Sequence, residues 1–234
     1  MKKKALLIVL AVIFMLSLSA CDKTEKMLKE AEVGDVITFG TYEQDNDEAN
    51  GKEPIEWRVL AKDEEKVLLL TDKVIDSIPF NNEMQEWITW EDSSLRAWLG
   101  GEFVTAAFSE EEAARILETS NPNDENRDYG IPATEDTLDT VFLLSIRETT
   151  EYFKTDENSA AANEDCIAYP TEYAIAKDIE VRNGGAVMWW LRECTSGVPA
   201  AACDDLGKRF HNGRPMDYTR TGVRPAMWVK IEMK

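Results

Sequence analysis

The sequence predicts an α+β domain of antiparallel sheets with short peripheral helices, and three observations carry that reading. Two short runs rich in Val and Trp, Val187-Met188-Trp189-Trp190-Leu191-Arg192 and Gly222-Val223-Arg224-Pro225-Ala226-Met227-Trp228-Val229, are bounded by Gly or Pro, which favours buried strands over helices. If they pair, the second ties the end of the chain into the core. Ile55-Glu56-Trp57-Arg58-Val59-Leu60 alternates apolar with polar as a half-buried strand does, and the apolar run Lys66-Val67-Leu68-Leu69-Leu70-Thr71 follows across an acidic turn at 63–65. Two capping boxes, Ser109 with Glu112 and Ser145 with Glu148, mark helix starts.

At the beginning of the chain, Lys2, Lys3 and Lys4 precede an apolar stretch from Ala5 to Leu16, and Leu18-Ser19-Ala20-Cys21 closes it with small residues before a cysteine. The pattern resembles the signal peptide and lipobox of bacterial lipoproteins, which implies cleavage after residue 20 and a lipid on Cys21. The apolar stretch is short for a membrane span. Residues 21–32 are polar and read as a tether with a helical stretch at Lys26–Ala31, and residues 33–234 form one domain with enough chain for a substantial core. Removing residues 1–20 takes away three lysines and no acid, which moves the net charge from −19 to −22. So acidic a chain, with the single histidine His211, lacks the basic footprint that nucleic acid requires, and its self-repulsion suits an extracytoplasmic surface.

Val33 to Tyr42 supplies a first strand, which joins the runs at 55–60 and 66–71 in a three-stranded meander; the acidic loop Glu43 to Pro54 connects the first two. Asp92 or Ser93 caps a short helix through Leu95, Trp98 and Leu99, and Gly100-Gly101 ends it. The helix opened by Ser109 carries Ala113, Ile116 and Leu117 at helical spacing. Asn121 to Thr137 is a polar loop. Val141-Phe142-Leu143-Leu144 reads as a buried strand leading into the Ser145 helix, which carries Tyr152 and Phe153. Pro170 suits the start of a helix over Thr171–Ala176, and a strand near Ala200–Cys203 separates the two Trp-rich runs.

Taken in order, Trp57-Arg58-Val59-Leu60, Thr89-Trp90-Glu91-Asp92-Ser93-Ser94-Leu95-Arg96-Ala97-Trp98-Leu99, Phe108-Ser109-Glu110-Glu111-Glu112, Val141-Phe142-Leu143-Leu144-Ser145, Trp189-Trp190-Leu191-Arg192 and Gly222-Val223-Arg224-Pro225-Ala226 resemble the DUF6273 family, bacterial domains of unknown function that are often extracellular. The resemblance covers roughly residues 33–231. The family's last strands resemble those of C-type-lectin-like domains, including the branch that contains formylglycine-generating enzymes, so the resemblance implies a lectin-like fold. A fold does not by itself supply a function. Where the family commonly reads Trp-Trp-Leu-Arg-Ser-Pro-Gly, this chain departs with Glu193-Cys194-Thr195-Ser196-Gly197.

Three cysteines accompany Cys21. Cys194 and Cys203 flank a short connection and are the expected disulfide in an oxidising compartment, with Cys166–Cys194 as the rival pairing. Asp124, Asn126, Asp128 and Glu135 stand at the first, third, fifth and twelfth positions of a calcium-loop pattern, and Asp45, Asp47 and Glu56 approach it. Both stretches lack the turning glycine, so solvated acidic loops are the default; calcium is the one cofactor these spacings raise. Trp57, Trp90, Trp98, Trp189, Trp190 and Trp228 read mostly as core. Arg192 and Arg224 stand at strand ends, where they need carboxylate or carbonyl partners or else hold an anionic ligand. The basic, aromatic island from Lys208 to Arg220 reads as a ligand-facing loop, giving Arg192, His211, Asn212, Arg214, Asp217 and Tyr218 as candidate binding residues. No nucleophile elbow, zinc motif or P-loop is present, so no catalytic residue is assigned. These features point to a lipid-anchored, extracytoplasmic, non-catalytic domain binding a glycan or protein at the cell envelope. The alternatives are an enzyme related to formylglycine-generating oxidases and a purely structural envelope lipoprotein.

Overall fold

The chain enters the fold through a helix, α1, over residues 23–30. The computed structural model describes residues 23–125, 130, 132–154, 163–194 and 199–232. The stretch expected to be a tether is docked instead. Leu28 and Ala31 are buried, Glu25 pairs with Arg115 at 2.6 Å, and Lys62 Nζ donates to the carbonyls of Lys29 and Ala31 at 2.6 Å each. A leucine in the core and a cation on the free carbonyls of the last turn explain why this short polar segment is helical and held. Among the described residues no helix is long and apolar enough to cross a membrane.

From there the order is β1 (Val36–Tyr42), β2 (Glu53–Lys62), β3 (Lys66–Thr71), β4 (Asp76–Ser77), α2 (Ser94–Trp98), α3 (Val104–Ala107), α4 (Glu110–Ala113), β5 (Ile116–Leu117), β6 (Thr119–Asn121) and β7 (Thr137–Asp139). The second half runs α5 (Ile146–Phe153), α6 (Glu172–Ala176), β8 (Trp189–Cys194), β9 (Pro199–Cys203), β10 (Arg209–Pro215), β11 (Gly222–Val223) and β12 (Ala226–Lys230). The strands form two five-stranded sheets, β1-β2-β3-β12-β5 and β10-β9-β8-β11-β4, and a ribbon β6-β7. All pairings are antiparallel except β11 with β8, so the chain is α+β as its sequence predicts.

The expected meander is present. Ile55, Trp57 and Val59 are buried while Glu56 is exposed, and β3, flanked on both sides, buries Val67 to Thr71 without a break. Gly40 sits in the irregular stretch of β1 at φ +69°, where an added Cβ would lie 2.5 Å from the Phe108 ring. That approach packs Phe108 against Phe39, Trp57 and Phe103 at centroid distances of 5.5–6.3 Å. A second aromatic group, Phe80 with Trp90 and Trp190 at 5.9 Å each, sits against the other sheet. Trp57, Trp90, Trp189 and Trp190 are fully buried, whereas Trp98 and Trp228 are half-buried.

Four expectations need correction. The terminal strand does not dock on β8. Pro225, which has no N–H to give a ladder, divides the run into β11, paired with β8 only at Gly222–Trp189, and β12, which inserts between β3 and β5. Gly100 and Gly101 do not stop α2; Leu99–Phe103 continues as a π-helical turn into α3 and keeps Leu99 and Phe103 both buried. The Ser109 helix ends at Ala113, and Ile116 and Leu117 leave it to pair with Val229 and Trp228. Val141 to Leu144 is buried but makes only the single bridge Phe142–Ala226.

One buried carboxylate holds the long polar loop in place. Asp139 accepts from Trp90 Nε1 at 3.1 Å, Arg96 Nε at 2.5 Å, Asn121 Nδ2 at 2.9 Å and Thr137 Oγ1 at 2.7 Å. Both ends of that loop are thereby tied to α2, and Pro122 and Asn123 are carried against the end of β8.

Candidate functional site

The Ser145 capping box sets the start of α5 and also places a carboxylate. Ser145 N–H donates to Glu148 Oε2 at 2.8 Å, and Glu148 N–H donates back to Ser145 Oγ at 2.9 Å. The same Glu148 receives Arg192, whose Nη1 reaches Oε2 at 2.5 Å and whose Nη2 reaches Oε1 at 3.2 Å. Arg192 also donates to the carbonyls of Leu143 at 3.0 Å and Pro122 at 2.9 Å, and to Asn123 Oδ1 at 3.2 Å. Burial disfavours this guanidinium, but the Glu148 carboxylate outweighs it and raises its pKa. Arg192 thus has the internal carboxylate and carbonyl partners that a buried arginine needs.

Its neighbour Glu193 stands across the start of the same helix. Glu193 Oε1 accepts from Ile146 N–H, in the first turn of α5, at 2.7 Å, while Oε2 is shielded from solvent with no hydrogen-bond partner. Burial pushes this carboxyl up to about 7; Glu148 adds to the shift, and Arg192 and the Ile146 N–H oppose it. Glu193 therefore carries a proton for part of the time near neutral pH, and its free oxygen both donates and accepts over that range.

These groups line a cleft of about 550 Å³ whose other walls include Pro122, Tyr152 and Arg209. Arg209 donates to Thr150 Oγ1 on α5, which ties β10 to the helix. Burial, with Glu148 and Glu151, raises the Tyr152 phenol to about 12, so it stays a neutral donor. Beside the cleft, a slot of about 20 Å³ between Trp90, Thr134 and Glu193 has room for about one water.

The other candidates lie elsewhere. The Lys208–Arg220 segment is not a long loop: Arg209–Pro215 is the edge strand β10. Arg214 bonds Glu180 Oε2 at 2.6 Å, lies 4.7 Å over the Tyr218 ring and donates to Met188 Sδ, while Arg220 pairs with Asp178 at 3.3 Å. No described cleft is lined by both Arg192 and Arg214. Tyr218 Oη donates to Glu180 at 3.3 Å, and Asp217 is exposed. His211 and Asn212 belong to β10; their side chains lie outside the described residues, as do Cys21, Asn126, Asp128 and Thr195 to Gly197.

Of the first calcium pattern, Asn126 and Asp128 lie outside the described residues and Asp124 pairs with Arg147 at 2.7 Å; of the second, Glu56 sits on β2 opposite Thr38. Asp45 instead meets Glu43 and Glu53, with carboxylate oxygens within 4.8 Å of one another. Loop donors already serve them: Gln44 N–H reaches Glu53 Oε2 at 2.8 Å, Asp47 N–H reaches Glu43 Oε1 at 3.0 Å, and Asn50 Nδ2 reaches Asp45 Oδ2 at 2.8 Å. Arg224 lies over the Trp189 ring at 5.1 Å and donates from Nε to the Thr71 carbonyl at 2.8 Å, while its Nη1 has no partner.

Glu148, Glu193, Tyr152 and Arg209 were not singled out for binding. Glu148 read as a helix cap alone. Glu193 did carry a signal, since it is the first residue at which the chain departs from the Trp-Trp-Leu-Arg-Ser-Pro-Gly phrase.

No curated protein and no solved structure matches the chain. A family model described as a domain of unknown function (DUF6273) matches residues 64–231. The match opens in the β2–β3 turn, so β1, β2 and the phrase Trp57-Arg58-Val59-Leu60 precede it, while every residue named for the cleft falls inside it. It covers more than half of the sequence, and the chain belongs to the DUF6273 family.

Proposed function

We propose that this chain is a lipid-anchored, extracytoplasmic binding module of C-type-lectin-like type, which holds a hydroxyl-rich ligand such as an envelope glycan in the cleft between α5 and β8. The observation that carries the reading is Glu193 Oε2, an oxygen of the cleft lining that is shielded from solvent and has no hydrogen-bond partner. A buried acceptor left without a donor is costly, and a ligand hydroxyl or amide would supply one. Arg192 is neutralised by Glu148 and flanked by Glu193, so the cleft favours neutral polar groups over the acidic ones that a freer arginine would attract. The lysine-led apolar stretch and Cys21 support the anchor and the address.

Two measurements test this. The mature chain and its Glu193→Gln variant would be screened against a library of soluble neutral oligosaccharides. Retention by the wild type with at least a tenfold loss in the variant supports the cleft; equal retention, or none by either protein, removes it. Separately, Cys21→Ala should move the protein from the membrane to the soluble fraction. Unchanged membrane association would overturn the lipid anchor.

A further inference from the structure

We propose that Cys166 and Cys203 form a disulfide that ties the 164–166 turn to the β9–β10 hairpin. The pairing expected from sequence does not fit the register: Cys203 lies opposite Trp189 and Arg209, whereas Cys194 lies opposite Ala200. Cys203 instead meets a cysteine far away in sequence. Two contacts from separate elements bring the two together. The Trp189 indole N–H, opposite Cys203 in the register, donates to the Cys166 carbonyl at 2.9 Å, and Asn163 N–H donates to the Gly207 carbonyl at 3.1 Å. At Gly207, φ is +74° and an added Cβ would lie 2.0 Å from the Asn163 carbonyl oxygen, so the two backbones are in contact there. Both thiols are fully buried.

In the docked fold the two thiols differ. The Cys203 thiol beside it, with Arg224 and Arg209 nearby, holds Cys166 below the ordinary thiol value despite burial, while burial pushes Cys203 well above it. Arg224 Nη1 is buried without a partner, and burial lowers that guanidinium to about 10. The oxidant is an exchangeable disulfide, that of a dithiol oxidoreductase or of oxidised glutathione. Before the turn docks, while both thiols are reachable, one of them attacks as its thiolate one sulfur of the oxidant, forming a mixed disulfide and releasing one thiolate. Docking presents the other, which loses its proton and attacks the first cysteine's sulfur, expelling the second thiolate. The pair loses two protons and two electrons, and the oxidant is reduced to two thiols. Once closed, the bond is out of reach of reductants.

The test uses the full chain carrying Cys21→Ser, unfolded with reductant and refolded in a glutathione redox buffer, then alkylated and mapped by peptide mass spectrometry. The expected result is a Cys166–Cys203 cross-linked peptide with Cys194 alkylated, unchanged by Cys194→Ser. Dithiothreitol should open the bond only in denaturing urea. Alkylated Cys166 and Cys203, or a link from either to Cys194, would overturn the proposal. Alkylation of wild-type chain taken directly from cells gives a second reading that needs no refolding. Linkage in the refolded chain with free thiols in the cellular one would count against export to an oxidising compartment and leave the pairing standing.

Discussion

Replacing Glu193 by Gln should make the protein more stable at alkaline pH and leave it nearly unchanged in acid. The carboxyl rises from its ordinary 4.5 to about 7 in the fold, with burial as the main cause. A raised carboxyl favours folding only while it is protonated, so its contribution is complete below 4.5 and is lost as pH climbs to about 7. That span corresponds to roughly 3 kcal/mol of stability lost between acid and alkaline solution. Gln has the same shape, can keep its carbonyl on the Ile146 N–H and has no charge to bury. Its amide, placed where Oε2 stands, adds a donor without an acceptor, which offsets about 1 kcal/mol. The net expectation is a gain of about 2 kcal/mol at pH ~8 and a change between zero and a small loss at pH ~4. Urea unfolding of both proteins across that range measures it directly. Parallel pH profiles for the two proteins would refute the raised carboxyl of Glu193.

Three further outcomes follow from the packing. Glu148→Ala removes the carboxylate from buried Arg192 and one half of the α5 cap, and should lower unfolding free energy by about 3–5 kcal/mol, read as an earlier urea midpoint. Leu28→Ala should cost about 2–5 kcal/mol; an unchanged midpoint would mean that the 23–30 helix is a tether after all. Met227→Ala should cost a similar amount by calorimetry, because Met227 is fully buried on a strand with neighbours on both sides.

How much of this was legible depended on the range of the interactions. The meander could be read because a strand with one wet face writes its pattern every second residue, as Ile55, Trp57 and Val59 do. The starts of α4 and α5 could be read because a capping box is complete within four residues. Pro225 was visible, yet what it divides depends on two sheets competing for the same run, which no local window contains. The cysteines show the same limit: proximity in sequence favours Cys194 with Cys203, and the register sets Cys203 opposite Trp189, whose indole holds the carbonyl of Cys166 from a distant turn. At the cleft, Arg192 was found because an arginine closing an apolar strand needs partners, while Glu193 beside it is ordinary in composition and becomes unusual only when burial strands one of its oxygens.

The docked α1 has a consequence for where such a protein could work. If Cys21 bears a lipid, Asp22 alone separates it in sequence from a helix held by Leu28 in the core, and two residues reach at most about 7 Å. A leash that short keeps the whole body at the headgroup layer and restricts how far it can tilt. Molecules deep in a thick wall would be beyond its range, while those lying on the membrane or passing across it would meet the cleft repeatedly. With that anchor, the search for a ligand begins at the bilayer surface.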